Sequence, residues 1–509
     1  MANRACAILA ALLVLIASAR IVSTYRVLSH TMDEPEHLGA GMQWFAGAYT
    51  CDPSHPPIAR VLATIGPYLD GARYVPAAGC HDEGIKLLGR DDHYDRVLTL
   101  ARLGILPLFW IASLGVFLWA RRAGGDLAGV IGVFLFTTIP PVLAHAGLVT
   151  TDMAATAFGV ATFYASLWWA ERPDRARTLV FGVMLGLAAL AKFSLLPYLP
   201  AGWILLLLWR RPKRAVIARH LGPLAAAAVI GTLVIWAGYR FSIRPFPAFD
   251  LFAGIRGLLH HNAVGHDSYI LGQRHHIGVW YFFPVALGVK TPLALLVLLA
   301  WALGRSWRKR LPVDAAVAYS AGILLVAMTG RINIGMRHVL PIYAGFAVIC
   351  AVVSADILRQ NRPPLTLGLF ALLAYQAISG ARVHPDYLAY TNEIAGAHPE
   401  RFVADSDLDW GQDMKRLGAR LRELGAKEVA FSPFVLADLE HVHGFPPIHK
   451  SDPIAPAPGW NAVSLTVWKE SRMGLFRDHP ELRTWPDGNK AQERVGKGIL
   501  LYYFPAAPQ

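Results

Sequence analysis

Charged residues are scarce in this chain: Asp, Glu, Lys and Arg make up only 16% of its 509 residues, whereas 54% are hydrophobic. Soluble globular domains carry about 25% charged residues, so this composition excludes an ordinary soluble enzyme. The apolar residues also occur in repeated long runs, which is the pattern of membrane-spanning helices. We therefore predict a polytopic membrane protein that is mainly α-helical.

Cysteine is also rare, with four residues in the whole chain, which excludes a disulfide-rich secreted scaffold. Cys6 and Cys350 fall inside apolar runs and are predicted to be packing residues. Cys51 and Cys80 share one hydrophilic segment. They could form a disulfide if that segment faces an oxidising compartment, but their spacing alone does not decide the pairing.

Internal repeats, low-complexity tracts and a continuous basic face are missing as well. The net charge is +13, but the basic residues lie in short loops between apolar runs, so we predict no nucleic-acid partner.

Eleven apolar segments are candidate membrane crossings, which makes membrane lipids the surroundings of most of the chain. They are residues 5–27, 97–120, 127–145, 153–170, 178–191, 194–209, 221–240, 283–303, 314–330, 338–358 and 365–381. Basic residues gather in the loops near 121–122, 172–177, 210–219, 305–310 and 359–362. The positive-inside rule assigns these loops to the cytoplasm.

Two alternatives bear on this topology. Residues 178–209 could be one long span around Lys192, but every later loop would then face the wrong side by its charge. We therefore predict two short spans with Lys192 at the outer turn. At the N-terminus, Ala17-Ser18-Ala19 resembles a signal-peptide cleavage site, so removal of residues 1–19 stays open.

The topology predicts two domains. Residues 1–381 form the transmembrane domain, and its outer loop 28–96, with ten acidic against five basic residues, is the predicted catalytic loop. Residues 382–509 form a small extracytoplasmic α/β domain. Within it we predict an amphipathic helix over 409–424. Strands are predicted over 428–434, 462–468 and 499–504.

The acidic residues next to the first span are the first candidates for a functional site. Asp33 and Glu34 follow that span directly, and carboxylates beside a bilayer are costly to desolvate unless their charge is used. Asp152 emerges on the same side, and either aspartate could act as a general base for a hydroxyl. Glu34 could instead only begin a helix, and Asp152 could only cap one.

Basic residues lie near the outer ends of other spans. Arg337 is suited to gripping phosphate through paired N–H donors, and Lys192 and Lys290 are further cations. Lys192 could also be a lysine that only extends towards the membrane surface. A base together with phosphate-binding cations at a membrane surface predicts transfer from a lipid phosphate.

Seven motifs, taken in order, resemble those of a known superfamily. They are Met32–Pro35, His55–Ile58, Thr150–Met153, Lys192–Ser194, Tyr281–Pro292, Asn333–Tyr343 and Asp405–Asp413. In these motifs the chain resembles the GT-C superfamily of polyprenyl-phosphate-sugar-dependent glycosyltransferases. Within it the chain is most similar to the bacterial relatives of the protein O-mannosyltransferases and to the lipid A aminoarabinose transferase.

The resemblance implies a GT-C-like fold and an inverting transfer in which Asp33 takes the proton of an acceptor hydroxyl. Asp152 would orient the acceptor or a cationic partner, and Arg337 would hold the leaving phosphate. The further substrate-binding candidates are Glu34, His55, Lys192, Lys290, His338 and Tyr343. Tyr343 could equally anchor its span at the membrane interface. His55 stands where the aminoarabinose transferase has lysine, which puts its role as a phosphate ligand in doubt.

The implied partners are a polyprenyl-phosphate sugar donor and a protein, lipid or glycan acceptor at the outer face of the cell membrane. No motif in the sequence indicates a cofactor, and binding of a divalent metal is left undecided by the sequence. The spacing of Asp405, Asp407 and Asp409 is that of a calcium loop, but Trp410 occupies its glycine position, so we assign no metal ligand. A transporter or flippase of a lipid-linked or anionic solute remains the alternative, with an inactive scaffold behind it.

Overall fold

A computed structural model of the chain describes residues 2–49, 51–90, 93–243, 245–246, 248–435, 437–475 and 484–506. The predicted segments 28–96, 241–282 and 382–509 each include a few residues outside these ranges. The first half of the chain contains α1 (Ala2–Ser23), α2 (Glu34–Phe45), α3 (Pro57–Leu69), α4 (Cys80–Leu88), α5 (Tyr94–Leu103), α6 (Leu106–Gly124), α7 (Asp126–Thr137), α8 (Pro140–Ala146), α9 (Asp152–Glu171), α10 (Arg175–Ala191), α11 (Leu195–Arg210) and α12 (Arg214–Gly238).

The second half mixes helices with short strands. It contains α13 (Phe249–Val264), β1 (Ser268–Ile270), β2 (Gln273–His275), α14 (Phe282–Lys290), α15 (Leu293–Lys309), α16 (Asp314–Ala327), α17 (Ile342–Arg359), α18 (Pro363–Arg382), α19 (Met414–Glu423), β3 (Val429–Phe431), α20 (Leu439–His443), β4 (Ile448–His449), β5 (Gly459–Ser464), α21 (Leu465–Leu475), α22 (Trp485–Gly488), β6 (Glu493–Val495) and β7 (Ile499–Phe504), with 3-10 turns at Met336–Val339, Pro399–Arg401 and Asp405–Asp407.

Every predicted span falls on a helix or on two consecutive helices. Among the described residues, five helices are long and apolar enough to cross a membrane, or up to seven spans if each bent pair of helices is one span. The chain is therefore a multi-pass membrane protein, built mainly from helices.

Two predicted spans are bent, and the sequence analysis did not predict these bends. The segment 127–145 bends by 72° between α7 and α8, and the segment 283–303 bends by 114° between α14 and α15. Both bends precede proline, at Pro140 and Pro292, because the residue before a proline is disfavoured in the α-helical region. The second bend turns the end of α14, with Lys290, towards the residues described below.

The segment 28–96 forms a small helical layer. Cys51 and Cys80 form a disulfide in it, with their Cα atoms 5.7 Å apart. Helices α2 and α4 approach so closely that a Cβ atom added at Gly84 would lie 1.8 Å from the carbonyl oxygen of Pro35. This contact fixes the start of α2, where Asp33 is the N-cap residue.

The C-terminal region contains a five-stranded sheet in the order β4-β3-β5-β7-β6. Strand β3 runs parallel to β4 and β5, whereas β7 runs antiparallel to β5 and β6. Helix α19 packs Leu417 and Leu421 against Phe431 and Leu501. The predicted helix over 409–424 therefore exists, but it begins only at Met414. Residues 405–413 are held instead by hydrogen bonds to the turns at Ser29–Met32 and Ile334–Met336.

Candidate active site

Asp33 forms an ion pair with Arg337 at one end of the helix bundle. The distance from Asp33 Oδ2 to Arg337 Nη1 is 2.7 Å, and 27% of the Asp33 side chain is exposed against 8% of the Arg337 side chain. Within the described ranges, Arg337 Nε has no hydrogen-bond partner. Burial opposes the charge of Arg337, but the nearby carboxylates of Asp33 and Asp152 outweigh it and raise its pKa. The pair thus presents a carboxylate and a cation with a spare donor.

Arg337 lies in the 3-10 turn Met336–Val339, which follows Gly335 at φ 134°. This positive φ favours glycine. The guanidinium lies over the indole of Trp410, with 4.2 Å between Cζ and the ring centroid. His145 meets the same ring edge-on, at 6.4 Å between centroids. A buried aromatic ring therefore packs against the guanidinium of Arg337.

Asp152 is the second carboxylate of the site, and it pairs with Lys192. Their Nζ–Oδ1 distance is 2.5 Å, and both side chains are buried. Asp152 Oδ2 has no hydrogen-bond partner in the part of the chain that the structure describes, and His145 Nδ1 lies 3.8 Å away from it. Asp152 is also the first residue of α9, where the helix dipole stabilises a negative charge. Lys192 is therefore the cationic partner predicted for Asp152. The Oδ2 atom of Asp152 is left to accept a further hydrogen bond.

His338 and His55 face the same group of residues. His338 Nε2 has no hydrogen-bond partner among the described residues. Burial is the main reason why the pKa of His55 falls to about 4, although Asp52 opposes the shift. The doubt about His55 as a charged phosphate ligand is thus supported by its surroundings.

The Glu34 side chain is turned away from Asp33, and both of its carboxylate oxygens already accept hydrogen bonds. Its two oxygens accept 2.9 Å and 2.8 Å hydrogen bonds from Arg102, and both side chains are fully buried. The backbone N–H groups of Thr31 and Val149 donate to the same carboxylate at 2.8 Å and 3.0 Å. The predicted substrate contact of Glu34 does not fit this arrangement, because both oxygens are occupied by the chain itself.

Lys290 and Tyr343 lie behind the site rather than in it. The Lys290 ammonium donates to the backbone carbonyls of Leu388, at 2.6 Å, and of Asp407. The Tyr343 hydroxyl lies 3.0 Å from Thr291 Oγ1, and the tyrosine is fully buried. Both residues join segments that surround the site, and direct contact with substrate is a poor fit for either.

Glu36, Arg60 and Asp52 belong to the site region but were missed from the sequence. Arg60 is fully buried and pairs with Asp52, and its Nε donates to His37 Nδ1 at 3.0 Å. Glu36 is hydrogen bonded to Asp52; burial and the charges of Asp52 and Asp33 raise the pKa of Glu36 to about 7. The signal available in the sequence was the placement of Asp33 and Glu36 one helical turn apart.

One group of potential metal ligands occurs among the described residues. Cys51, Cys80 and Glu83 have ligand atoms within 4.8 Å of one another. Because thiolates are the metal-binding form of cysteine and these two sulfurs are bonded to each other, the disulfide form offers no such site.

Comparison with known proteins agrees with this architecture. Residues 98–236 match a family model described as dolichyl-phosphate-mannose-protein mannosyltransferase, which spans less than half of the chain. A search of curated proteins finds no match.

Solved structures of ArnT from Cupriavidus metallidurans align over 98% of this chain and 99% of their own. The structure bound to undecaprenyl phosphate gives a TM-score of 0.53 at 12% identity, and the apo structure gives 0.54 at 13%. This identity is low, so the similarity concerns the fold alone. The chain has an ArnT-like GT-C fold, and the resemblance predicted from its motifs is confirmed at that level.

Proposed function

We propose that this protein is an inverting glycosyltransferase that moves a sugar from a polyprenyl-phosphate carrier to an acceptor hydroxyl. The observation that supports this most is the pairing of Asp33 with Arg337 at 2.7 Å. A carboxylate able to accept a proton thereby lies next to a guanidinium suited to bind a phosphate. The ArnT relative in complex with undecaprenyl phosphate supports this class of donor.

In the proposed reaction, the acceptor oxygen attacks the anomeric carbon while the bond from that carbon to the phosphate oxygen breaks. Asp33 takes the hydroxyl proton, and the polyprenyl phosphate leaves as an anion. Arg337 stabilises the negative charge that develops on the leaving oxygen, and such preorganised electrostatic stabilisation is commonly worth several kcal/mol.

Donor binding and activation of the base are coupled in this scheme. Before the donor binds, Asp33 neutralises Arg337. A donor phosphate competes for the same guanidinium, whose Nε is unpartnered among the described atoms. As Arg337 turns to the phosphate, the carboxylate of Asp33 is released to accept a proton. The base therefore becomes free only when the donor is in place.

The remaining site residues have supporting roles. Asp152, held by Lys192, offers its second oxygen to orient the acceptor. His338, with an unpartnered Nε2 in the described structure, supplies a hydrogen-bonding group. We assign Glu34, Lys290 and Tyr343 to positioning of the surrounding segments.

We further propose eleven membrane crossings, with the site and the C-terminal domain on the outer side. The basic loops lie at the opposite ends of the spans from Asp33 and Arg337. The positive-inside rule assigns these basic loops to the cytoplasm. The Cys51–Cys80 disulfide supports the same orientation, because disulfides persist in oxidising compartments.

A transporter or flippase is the competing function, and ionisable residues within the spans, here Arg20 and Arg102, would favour it. Arg102 is accounted for by its pair with Glu34. Arg20 donates to the Tyr387 hydroxyl at 3.0 Å and to the carbonyl of Gly380. Since both arginines have structural partners, neither favours a transport pathway.

The test is a transfer assay with the purified full-length chain in detergent, using an undecaprenyl-phosphate-linked sugar and a mixture of cell-envelope acceptors. We expect a new glycosylated product and free undecaprenyl phosphate. A transporter needs a sealed membrane to have any effect. Loss of labelled donor from vesicles without any product in detergent would therefore support the alternative.

A further inference from the structure

The segment Asp405–Asp413 has no role in the chemistry described so far, yet it contacts the turn that holds Arg337. The backbone N–H of Met336 donates to the carboxylate of Asp407 at 3.0 Å and 3.2 Å. The hydroxyl of Ser406 donates to the carbonyl of Ile334. The C-terminal region thus forms hydrogen bonds with the residues on both sides of Gly335, next to Arg337 in the chain.

The same segment also holds the residues before Asp33. The N–H of Met32 donates to the carbonyl of Trp410 at 3.0 Å, and the N–H of Ser29 donates to the carbonyl of Gln412 at the same distance. Ser29 Oγ in turn accepts a bond from the N–H of Met414 at 3.0 Å. The segment therefore ties together the two halves of the Asp33–Arg337 pair, which are separated by about 300 residues in sequence.

We propose that Trp410 is a positioning residue of the active site, which orients Arg337 for the donor phosphate through a cation–π contact. This inference rests on the function proposed above. Trp410 is almost fully buried, and its ring lies 4.2 Å below the guanidinium carbon. Such contacts are stronger when they are desolvated.

The chemistry of an indole suits this task better than that of an acidic partner. A second carboxylate beneath Arg337 would occupy its N–H donors and cancel its charge. The face of an aromatic ring attracts the cation but accepts no in-plane hydrogen bond from the guanidinium. The planar set of donors therefore stays available for Asp33 and for phosphate oxygens.

Two substitutions separate positioning from packing. Trp410→Phe keeps an aromatic face under Arg337, whereas Trp410→Leu keeps apolar volume only. Trp485→Leu is the matched control, because Trp485 is a buried tryptophan of the same C-terminal region that packs on Tyr502 away from the Asp33–Arg337 pair. The readout is the Kd of the purified full-length chain for undecaprenyl phosphate, measured together with the KM for the sugar donor.

We expect Trp410→Leu to weaken undecaprenyl phosphate binding and to raise the donor KM by about 10-fold. Trp410→Phe should stay within about threefold of the wild type, because a phenyl face still attracts the guanidinium. The Trp485→Leu control should bind as the wild type does. Equal losses in both Trp410 variants, or no loss in Trp410→Leu, would overturn the proposal.

A structure of the Trp410→Leu variant separates this inference from the proposed function. If Trp410 positions Arg337, the 2.7 Å contact with Asp33 is lost or displaced in the variant even if the chain transfers no sugar. If the wild type neither binds undecaprenyl phosphate nor forms product, the proposed function is refuted, whereas the positioning role of Trp410 is not. An unchanged Arg337 in the variant structure refutes the positioning role.

Discussion

Asp33 and Asp152 are both aspartates that follow a short turn, yet their partners give them different roles. Asp33 is partly exposed and is paired with an arginine that has a spare donor. Asp152 is buried against Lys192. The sequence could identify both carboxylates as candidates, but it could not assign their partners, because Arg337 and Lys192 are 304 and 40 residues away.

Glu36 gives the site a predicted pH dependence. Its pKa is raised to about 7, first by burial and then by Asp52, so it is neutral below pH 7 and negative above. A negative Glu36 beside Asp33 repels the donor phosphate. The repulsion between the charge of the Glu36 carboxylate and the charge of the donor phosphate, a few ångströms apart in water, is worth roughly 1 kcal/mol. We expect the donor KM to rise about fivefold between pH 6 and pH 8.5.

The Glu36→Gln variant is the control for this prediction. Its donor KM should change little over the same range, since the sugar donor is a phosphodiester that does not titrate near neutral pH. A KM that rises equally in both proteins assigns the effect to another group and removes Glu36 from the account.

Glu34 is predicted to matter for stability rather than for chemistry. Breaking a buried ion pair by removing one partner costs about 3–5 kcal/mol, and Glu34 and Arg102 are both fully buried. Glu34→Gln should therefore lower the melting temperature strongly. Asp70→Asn breaks the partly exposed pair with Arg96 and should change the melting temperature far less, because surface ion pairs contribute little to stability. A Glu34→Gln variant that is stable but inactive contradicts this assignment.

Among the elements, the close approach of α2 and α4 determines where Asp33 lies. Gly84→Ala would place a methyl group 1.8 Å from the carbonyl oxygen of Pro35. We expect a loss of about 1–3 kcal/mol in stability and a clear loss of transfer, measured by thermal unfolding and product formation. Gly79→Ala is the matched control, because a Cβ atom there meets no atom of the described residues within 4 Å. Equal behaviour of the two variants would argue against this contact.

The helices were predictable to different degrees. Each predicted apolar run falls on a helix or on two consecutive helices, since burial in lipid requires about 20 apolar residues for a span. The bends at Pro140 and Pro292 were not predicted, because proline alone does not determine whether a span continues. The late start of α19 was also missed. The predicted amphipathic pattern begins at residue 409, but the hydrogen bonds of Trp410 and Gln412 to the distant residues Met32 and Ser29 outweigh local helix propensity.

The whole molecule has a predicted orientation that chemical labelling can test. Lys450 in the C-terminal region and Arg308 in a basic loop are both exposed. Single cysteines at these positions, in a Cys6→Ser background, should differ in intact cells. Lys450→Cys should react with a membrane-impermeant maleimide from outside, and Arg308→Cys only after permeabilisation. The reverse pattern would invert the proposed topology.

The central claim is that the carboxylate of Asp33 accepts the proton of the sugar acceptor. The most direct measurement compares wild-type and Asp33→Asn protein in the detergent transfer assay and in undecaprenyl phosphate binding. The asparagine keeps the size of the side chain but cannot act as the base, so we predict a loss of turnover of at least about 100-fold with folding and lipid-phosphate binding retained. Turnover of the Asp33→Asn variant close to that of the wild type would contradict the account.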